Sequence, residues 1–298
     1  MRNKILGCLY GSIVGDIVGS YNEFLFPNMK SRVMTRRKVK YRHVTHQTLL
    51  NECSVFGFRY GAYTDDTSMS LALMDTYVNK QKIPHLMKNF SDWSNHGKFS
   101  SVGHCFDIGG QTAMSIYHAE KGCYYTEHDE IEKAGGNGAL MRIHPASLYT
   151  YFHKQAAIRS EIIGVAHCTH PNKESDKYCL WFTELIHLIL DGAIKSEIQQ
   201  WVDDVRGDDY WEHGIQSGYV KTTFETAVTK FLETDTFMQG VLEITNRGDD
   251  SDTVAAIYGA IAGAYYGVDE IPEWYLDNIN NKQYTTNLIE TFTEMLLK

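Results

Sequence analysis

Two stretches of sequence decide the fold: KILGCLYGSIVGDIVG at residues 4–19 and VAAIYGAIAGAYYG at residues 254–267. In both stretches glycine recurs at every fourth residue, at Gly7, Gly11, Gly15, Gly19, Gly259, Gly263 and Gly267. Residues four apart share one helix face, so each series predicts a helix with a groove free of side chains. A glycine inside a helix costs about 1 kcal/mol relative to alanine, so such a series needs a packing reason. We predict two central, tightly packed helices, with mutual contact as one way to fill the grooves; the alternative is that the glycines merely mark helix ends.

The rest of the chain also has helical periodicity. Apolar residues recur at three- and four-residue spacing in segments such as 69–77 and 288–296, whereas strand-like alternation is confined to short stretches, chiefly 33–44. The pattern predicts about ten helices, no βαβ rhythm and an all-α fold. Since there is no repeat of solenoid length and no clear linker, we expect residues 1–298 to form a single domain.

Composition narrows the class of protein. The chain has 28 Lys and Arg against 37 Asp and Glu, a formal charge of −9, and is 43% hydrophobic. This acidic balance disfavours general binding to nucleic acid or to anionic membranes, and no segment has the ~20 apolar residues of a membrane span. Six widely spaced cysteines argue against a thiolate zinc site and a disulfide scaffold. Asp16 interrupts the N-terminal apolar run, and no cleavage site follows it, so we expect a cytoplasmic protein rather than a secreted one.

Two acidic clusters each precede a predicted helix. YTDDT at residues 63–67 precedes an amphipathic helix at 67–79, and GDDSDT at residues 248–253 precedes the glycine-spaced helix at 254–267. Such residues usually cap the helix, but a cap needs one oxygen and these sites offer three or four. Adjacent carboxylates resist ionising together unless a cation neutralises them. Two such helix starts lying side by side would supply about six oxygen ligands, which suits Mg²⁺ or Mn²⁺.

Two other metal sites are excluded by spacing. An EF-hand loop beginning at Asp250 would place Ile261 where the bidentate glutamate belongs, and one beginning at Asp249 would place Ala260 there. The His-Glu-x-x-His pattern of zinc hydrolases is absent from the sequence.

Four further motifs are weak when taken singly. Glu23, after a helix that ends in Gly and Ser, is either a general base in a cleft or an exposed loop residue. The glycine-rich segment GGNGALMR at 135–142 runs toward a predicted helix and suits a diphosphate; DIGGQT at 107–112 is a weaker example. His170, in a Thr-His-Pro sequence, either contacts a ligand or is a structural histidine.

Taken in order, these motifs carry a family resemblance over residues 4–268. They are Gly15-Asp16 with Glu23, Tyr63-Thr64-Asp65-Asp66-Thr67, Gly136-Asn137-Gly138-Ala139-Leu140-Met141-Arg142, Thr169-His170-Pro171 and Asp250-Ser251-Asp252-Thr253-Val254-Ala255-Ala256-Ile257. The series resembles the ADP-ribosylglycohydrolase family, which includes dinitrogenase-reductase-activating glycohydrolase and the vertebrate ADP-ribosyl-acceptor hydrolases. The resemblance implies a compact, orthogonally packed all-α bundle with two divalent cations, Mg²⁺ or Mn²⁺.

The resemblance also implies residue roles. The implied metal ligands are Thr64, Asp65, Asp66, Asp250, Asp252 and Thr253. Gly136, Asn137 and Gly138 match a loop that holds the diphosphate, and His170 matches a substrate-pocket position. Glu23 fits a glutamate that gates or assists the site in some relatives.

The chain departs from the family pattern at two places. Gly248-Asp249 stands where relatives commonly have two glycines, so the role of Asp249 is open. The stretch from Glu23 to Tyr63 matches no pattern and includes seven basic residues between Lys30 and Arg42. Such a run is more often a solvated loop or edge strand than a binding surface, but it is the best candidate for acceptor specificity.

The expected reaction is hydrolysis of the bond between ADP-ribose and a protein side chain, with release of ADP-ribose. Water attacks the anomeric carbon as positive charge builds on the ribose, and Asp65, Asp66 or Glu23 accepts a proton. Two alternatives stay open: a non-catalytic ADP-ribose-binding or structural member, and a metal-dependent nucleotide phosphohydrolase. The expected partners are an ADP-ribosylated protein and the ADP-ribose product.

Overall fold

The computed structural model describes residues 1–34, 37–126, 128–153, 157–207, 211 and 217–298, and these form fourteen α-helices and one β-hairpin. The first half contains α1 (Arg2–Gly19), β1 (Arg32–Met34), β2 (Arg37–Val39), α2 (His46–Asn51), α3 (Asp65–Val78), α4 (Ile83–His96), α5 (Gly110–Glu120) and α6 (His144–His153). The second half contains α7 (Ile158–His167), α8 (Lys173–Asp191), α9 (Lys195–Arg206), α10 (Val220–Glu233), α11 (Phe237–Thr245), α12 (Ser251–Tyr266), α13 (Glu273–Asp277) and α14 (Lys282–Leu296). Short 3₁₀ turns lie at Glu132–Ala134, Leu140–Arg142 and Val268–Glu270.

The all-α prediction is confirmed, with more helices than the sequence pattern indicated. The helices α2 and α13 have six and five residues, too few to show an apolar period. Antiparallel β1 and β2 overlap the segment of strand-like alternation, with β1 beginning one residue before it. The helices predicted at 67–79 and 254–267 begin at Asp65 and Ser251, so both acidic clusters reach into the first helical turn.

The glycine series of α1 and α12 pack against each other, as one of the two interpretations predicted. A Cβ atom on Gly11 would lie 2.2 Å from the Gly259 carbonyl oxygen, and one on Gly259 would lie 2.0 Å from that of Gly11. Gly7 and Gly263 meet in the same way, at 2.0 and 1.9 Å. The pairing is antiparallel, so the C-terminal end of α1 lies beside the N-terminal end of α12. This contact brings the residues after Gly19 to the second acidic cluster.

One hydrophobic cluster surrounds this pair and includes residues from Ile5 to Leu296. On this basis we propose that residues 1–298 form a single domain. In the part of the chain described, none of the helices combines the length and the apolar character needed to cross a membrane. All six cysteines are in the reduced, unpaired form.

Candidate active site

The N-terminus of α3 is capped by a residue from another helix. The backbone N–H groups of Thr64 and Thr67 donate to the Asp16 carboxylate at 3.0 and 3.1 Å, and the Thr67 hydroxyl donates to it at 2.5 Å. Asp16 is fully buried near the end of α1. Because Asp16 satisfies the helix start, Asp65 and Asp66 are not needed as caps and their carboxylates are free for another role.

The second acidic cluster follows a tight turn. Gly248 and Asp249 both have left-handed φ angles, +79° and +57°, and a Cβ on Gly248 would lie 1.7 Å from the Leu25 carbonyl oxygen. Asp249 exchanges two backbone hydrogen bonds with the segment after Glu23, accepting from Phe24 N–H and donating to Leu25 O. Aspartate tolerates this conformation better than most residues, which explains how it replaces a glycine. The exchange fixes Glu23 beside the start of α12.

The two acidic clusters meet, as the sequence predicted. Asp66 Oδ2 lies 3.3 Å from the hydroxyl oxygens of both Thr64 and Thr253, so it bridges the starts of α3 and α12. One carboxylate oxygen each of Glu23, Asp107 and Asp252 lie within 4.8 Å of one another. We call Glu23, Asp65, Asp66, Asp107, Asp250 and Asp252 the carboxylate cluster.

The carboxylate cluster has a strong excess of negative charge. Burial raises the pKa of Glu23, Asp66 and Asp252 well above the ordinary range, and repulsion from neighbouring carboxylates raises it further. Among the described residues, Glu23 Oε2, Asp66 Oδ1 and Asp252 Oδ1 have no hydrogen-bond donor. Hard divalent cations prefer oxygen ligands such as carboxylates and hydroxyls. Buried carboxylate oxygens without a hydrogen-bond partner, next to threonine hydroxyls, therefore fit such ions.

Asn137 in the glycine-rich loop orients one member of the cluster. Its side-chain amide donates to Asp250 Oδ2 at 2.7 Å and lies 3.1 Å from the Thr223 hydroxyl. Its backbone N–H donates to Gly218 O at 3.0 Å and is therefore not open to a phosphate. The loop leads into the 3₁₀ turn Leu140–Arg142, and α6 begins only at His144, followed by Pro145. The sequence predicts that the glycine-rich loop leads into a helix, but it leads only into a 3₁₀ turn. The helix α6 begins after that turn, because Pro145 favours a helix start at its own position.

His170 packs on the same loop. A Cβ on Gly138 would lie 2.6 Å from His170 Cε1, so only glycine allows this contact. Burial and the charge of Arg142 lower the pKa of His170 to about 3, so its ring is neutral. Arg142 is fully buried and donates to the Gly138 carbonyl and, at 2.7 Å, to the Thr169 hydroxyl. The loop and the histidine are thus fixed together by one buried guanidinium.

Asp107 and Asp16 are the site residues that sequence reasoning missed. The sequence pattern places Asp107 in a possible phosphate-binding loop and Asp16 in the Gly15-Asp16 motif, and it gives neither carboxylate a role in the acidic site. Asp107 has φ +61°, which turns its carboxylate into the cluster just before α5. For Asp16, the signal in the sequence is an acidic residue near the end of the glycine-spaced helix. For Asp107, it is an aspartate shortly before the Gly109-Gly110 pair.

A histidine in α7 gives a testable pH dependence. His167 lies 2.8 Å from both Asp176 Oδ1 and the Thr126 carbonyl oxygen. Burial opposes the charged ring, but the close contact with Asp176, the hydrogen bond to Thr126 and the charges of Asp176 and Asp129 outweigh it, so the pKa of His167 is raised. Charged His167 therefore stabilises the folded state fully below the pKa of about 6.5 that it has in the unfolded chain. This contribution is lost as the pH rises through the higher pKa that His167 has in the folded state.

Replacing Asp176 with asparagine tests this. We expect the free energy of unfolding to fall by about 1–3 kcal/mol at pH 6 and by clearly less at pH 9, measured by urea denaturation. Equal losses at the two pH values would contradict a charged His167–Asp176 pair.

The chain is similar in sequence and in fold to known proteins. The ADP-ribosylglycohydrolase family profile matches residues 1–298. The chain is 29% identical to ADP-ribosylarginine hydrolase Tri1 of Serratia proteamaculans, over 97% of this chain and 78% of the relative. It is 30% identical to the ADP-ribosyl-[dinitrogen reductase] glycohydrolase of Rhodospirillum rubrum, over 95% of this chain and 92% of the relative. A solved ADP-ribosylglycohydrolase-related protein complex superposes with a TM-score of 0.78 at 25% identity, covering 99% and 98% of the two chains.

The chain belongs to the ADP-ribosylglycohydrolase family, as the resemblance predicted. It is an enzyme of that class.

Proposed function

We propose that the chain hydrolyses the N-glycosidic bond between ADP-ribose and an arginine side chain of a protein, using two divalent cations, Mg²⁺ or Mn²⁺. The observation that carries the proposal is the carboxylate cluster: buried oxygens of Glu23, Asp66 and Asp252 without a donor among the described residues. The arginine linkage is supported by the relative that is named as an ADP-ribosylarginine hydrolase.

The residues that would hold the cations are those at the two helix starts. They are Thr64, Asp65, Asp66, Asp250, Asp252 and Thr253. When bound, the cations supply Lewis-acid chemistry: they orient the distal ribose hydroxyls and make a water molecule more acidic. Asn137 holds Asp250, and Asp16 holds the start of α3, so these two act as positioning residues.

The proton transfers fall to the carboxylates that the helix starts do not supply. Glu23 is buried and lies with Asp107 at the edge of the cluster. We assign to Glu23 the uptake of a proton from the attacking water as the new bond to the anomeric carbon forms. The bond to the guanidine nitrogen breaks, its electron pair goes to that nitrogen, and the proton held by Glu23 follows. The products are ADP-ribose and an unmodified arginine.

The rest of ADP-ribose would lie along the neighbouring glycines. Among the described residues, no side chain caps the N-terminus of α5 and none of their atoms lies within 4 Å of where a Cβ on Gly110 would be. Thr112 on that helix lies 3.5 Å from the Cβ position of Gly138, so the two glycine loops are adjacent. We propose that the diphosphate lies between them, with Gly136, Gly138 and His170 forming the opposite wall.

Product analysis tests the proposal. The enzyme is given a peptide with one ADP-ribosylarginine, with Mg²⁺, with Mn²⁺ and with EDTA. We expect release of ADP-ribose with either metal and a loss of at least about 100-fold with EDTA. Release of phosphate or AMP would indicate a nucleotide phosphohydrolase, and binding of ADP-ribose without turnover would indicate a silent family member. Cleavage only of serine-linked ADP-ribose would overturn the arginine assignment.

We also propose a cytoplasmic location, with an ADP-ribosylated protein as substrate. Six unpaired cysteines suit a reducing compartment.

A further inference from the structure

The basic hairpin formed by β1 and β2 is attached directly next to the carboxylate cluster. Arg32 on β1 donates to the Phe24 carbonyl oxygen at 3.2 Å, and its guanidinium lies 5.1 Å from the centre of the Phe24 ring. Phe24 follows Glu23 in sequence and is bonded to Asp249. The hairpin therefore begins beside the residue that follows Glu23, at the edge of the carboxylate cluster.

The hairpin has two different faces. Val33 pairs with Lys38 across the strands, so these two share a face. Val33 is 71% exposed, and Lys38 and Lys40 are exposed as well. On the opposite face Val39 is half-buried, and the hydroxyl of half-buried Tyr41 donates to Asn246 O at 2.8 Å. The outer face, Val33, Lys38 and Lys40, is thus presented to solvent.

This outer face has the opposite charge to the rest of the molecule. Residues 24–51 contain seven Lys and Arg and no Asp or Glu, whereas the chain as a whole carries −9. Within the described ranges, Lys38 and Lys40 have no carboxylate partner at ion-pair distance. A groove of about 540 Å³ runs between residues 38–42 and residues 51–54, and its lining includes both lysines. An acidic polypeptide is repelled by most of this protein but attracted here.

We propose that the outer face of the hairpin docks an acidic segment of the ADP-ribosylated protein, so that acceptor choice depends on negative charge near the modified side chain. The inference rests on the proposed function, since it concerns the protein part of that substrate. Aspartate and glutamate side chains pair with Lys38 and Lys40, and an apolar side chain covers Val33. A nucleic acid is disfavoured because it needs a broad basic footprint, and the basic surface here is confined to one hairpin.

Two peptides and two variants test the proposal. Each peptide has one ADP-ribosylarginine, flanked by glutamates in one and by glutamines in the other. We expect the wild type to have about tenfold higher kcat/KM for the acidic peptide at low ionic strength, with the difference shrinking as salt is added. The double variant Lys38→Glu with Lys40→Glu should lose this preference. It should still hydrolyse free ADP-ribosylarginine at the wild-type rate.

The matched control is Lys80→Glu with Lys82→Glu. These lysines are exposed, have the same spacing and follow the far end of α3, about 20 Å from Asp65. The control should keep the preference for the acidic peptide. An equal loss in the control, or an equal loss on free ADP-ribosylarginine in the hairpin variant, would overturn docking.

A binding measurement separates this proposal from the proposed function. Fluorescence anisotropy with the unmodified acidic peptide needs no hydrolysis, so it reads docking even when no arginine linkage is cleaved. We expect weaker binding by the hairpin variant than by the wild type. Equal binding by both, or lysine-dependent binding of a single-stranded RNA but not of the acidic peptide, would overturn the proposal.

Discussion

Asp252→Asn should abolish turnover, lowering kcat/KM for ADP-ribosylarginine on the order of 10³-fold, which corresponds to about 4 kcal/mol of transition-state stabilisation. The substitution keeps the shape of the side chain but removes the charge of a buried oxygen that has no donor among the described residues. It also reduces the repulsion that raises the pKa of Glu23 and Asp66. The metal-free variant should therefore be at least as stable as the wild type, while Mn²⁺ no longer raises its Tm. Calorimetric titration with Mn²⁺ and thermal unfolding measure both effects.

Asp249→Asn is the matched control for this experiment. Asp249 stands three residues earlier and is only half-buried, and its left-handed φ of +57° is one that asparagine adopts readily. Its backbone bonds to Phe24 and Leu25 survive the change. We expect activity within about threefold of wild type, since the side chain lies outside the carboxylate cluster. Full activity in Asp252→Asn, or an equal loss in both variants, would refute the assignment of Asp252 as a metal ligand.

Gly263→Ala should destabilise the fold by more than about 4 kcal/mol, or prevent folding. The new Cβ would lie 1.9 Å from the Gly7 carbonyl oxygen, and that atom is helix backbone that cannot rotate away. The helices α1 and α12 would have to separate, which also pulls the start of α12 from the residues after Gly19. Urea denaturation followed by circular dichroism gives the free energy of unfolding.

Gly164→Ala is the control for the effect of replacing a helical glycine with alanine where no helix in the described ranges packs closely against it. Gly164 lies inside α7, has no left-handed φ, and has no atom of the described part of the chain within 4 Å of its Cβ position. Alanine there should be neutral or stabilise the protein by up to about 1 kcal/mol, because it favours the helix. If Gly263→Ala lay within about 1 kcal/mol of wild type, the close helix contact would not be what holds the fold together.

The contact of α1 with α12 and the two acidic clusters could be predicted because they appear in the sequence as a periodic glycine pattern and as adjacent acidic residues. A glycine at every fourth residue has a cost that only close packing explains, so the contact of α1 with α12 was readable from sequence. The acidic pairs at 65–66 and 250–252 exceeded what capping needs. In each case the residue types themselves limited the interpretations.

Features that depend on tertiary contact left no such signal. Asp16 caps α3 through Thr64, which lies 48 residues later, and a single aspartate does not reveal its partner. Asp107 joins the carboxylate cluster through one left-handed backbone angle. Residue type alone favours an exposed loop position for Glu23, yet Glu23 is 1% exposed because Asp249 binds the backbone that follows it. The 3₁₀ turn after Gly138 ends at buried Arg142, whose guanidinium donates back to the Gly138 carbonyl, a contact that the sequence does not reveal.

The joint between Gly19 and Ser251 has a consequence for biosynthesis. The Ser251 hydroxyl donates to the Gly19 carbonyl at 2.8 Å, across a separation of 232 residues. During translation the glycine groove of α1 is made long before α12, the helix that packs into it. A nascent chain therefore cannot complete the carboxylate cluster until α12 has been synthesised.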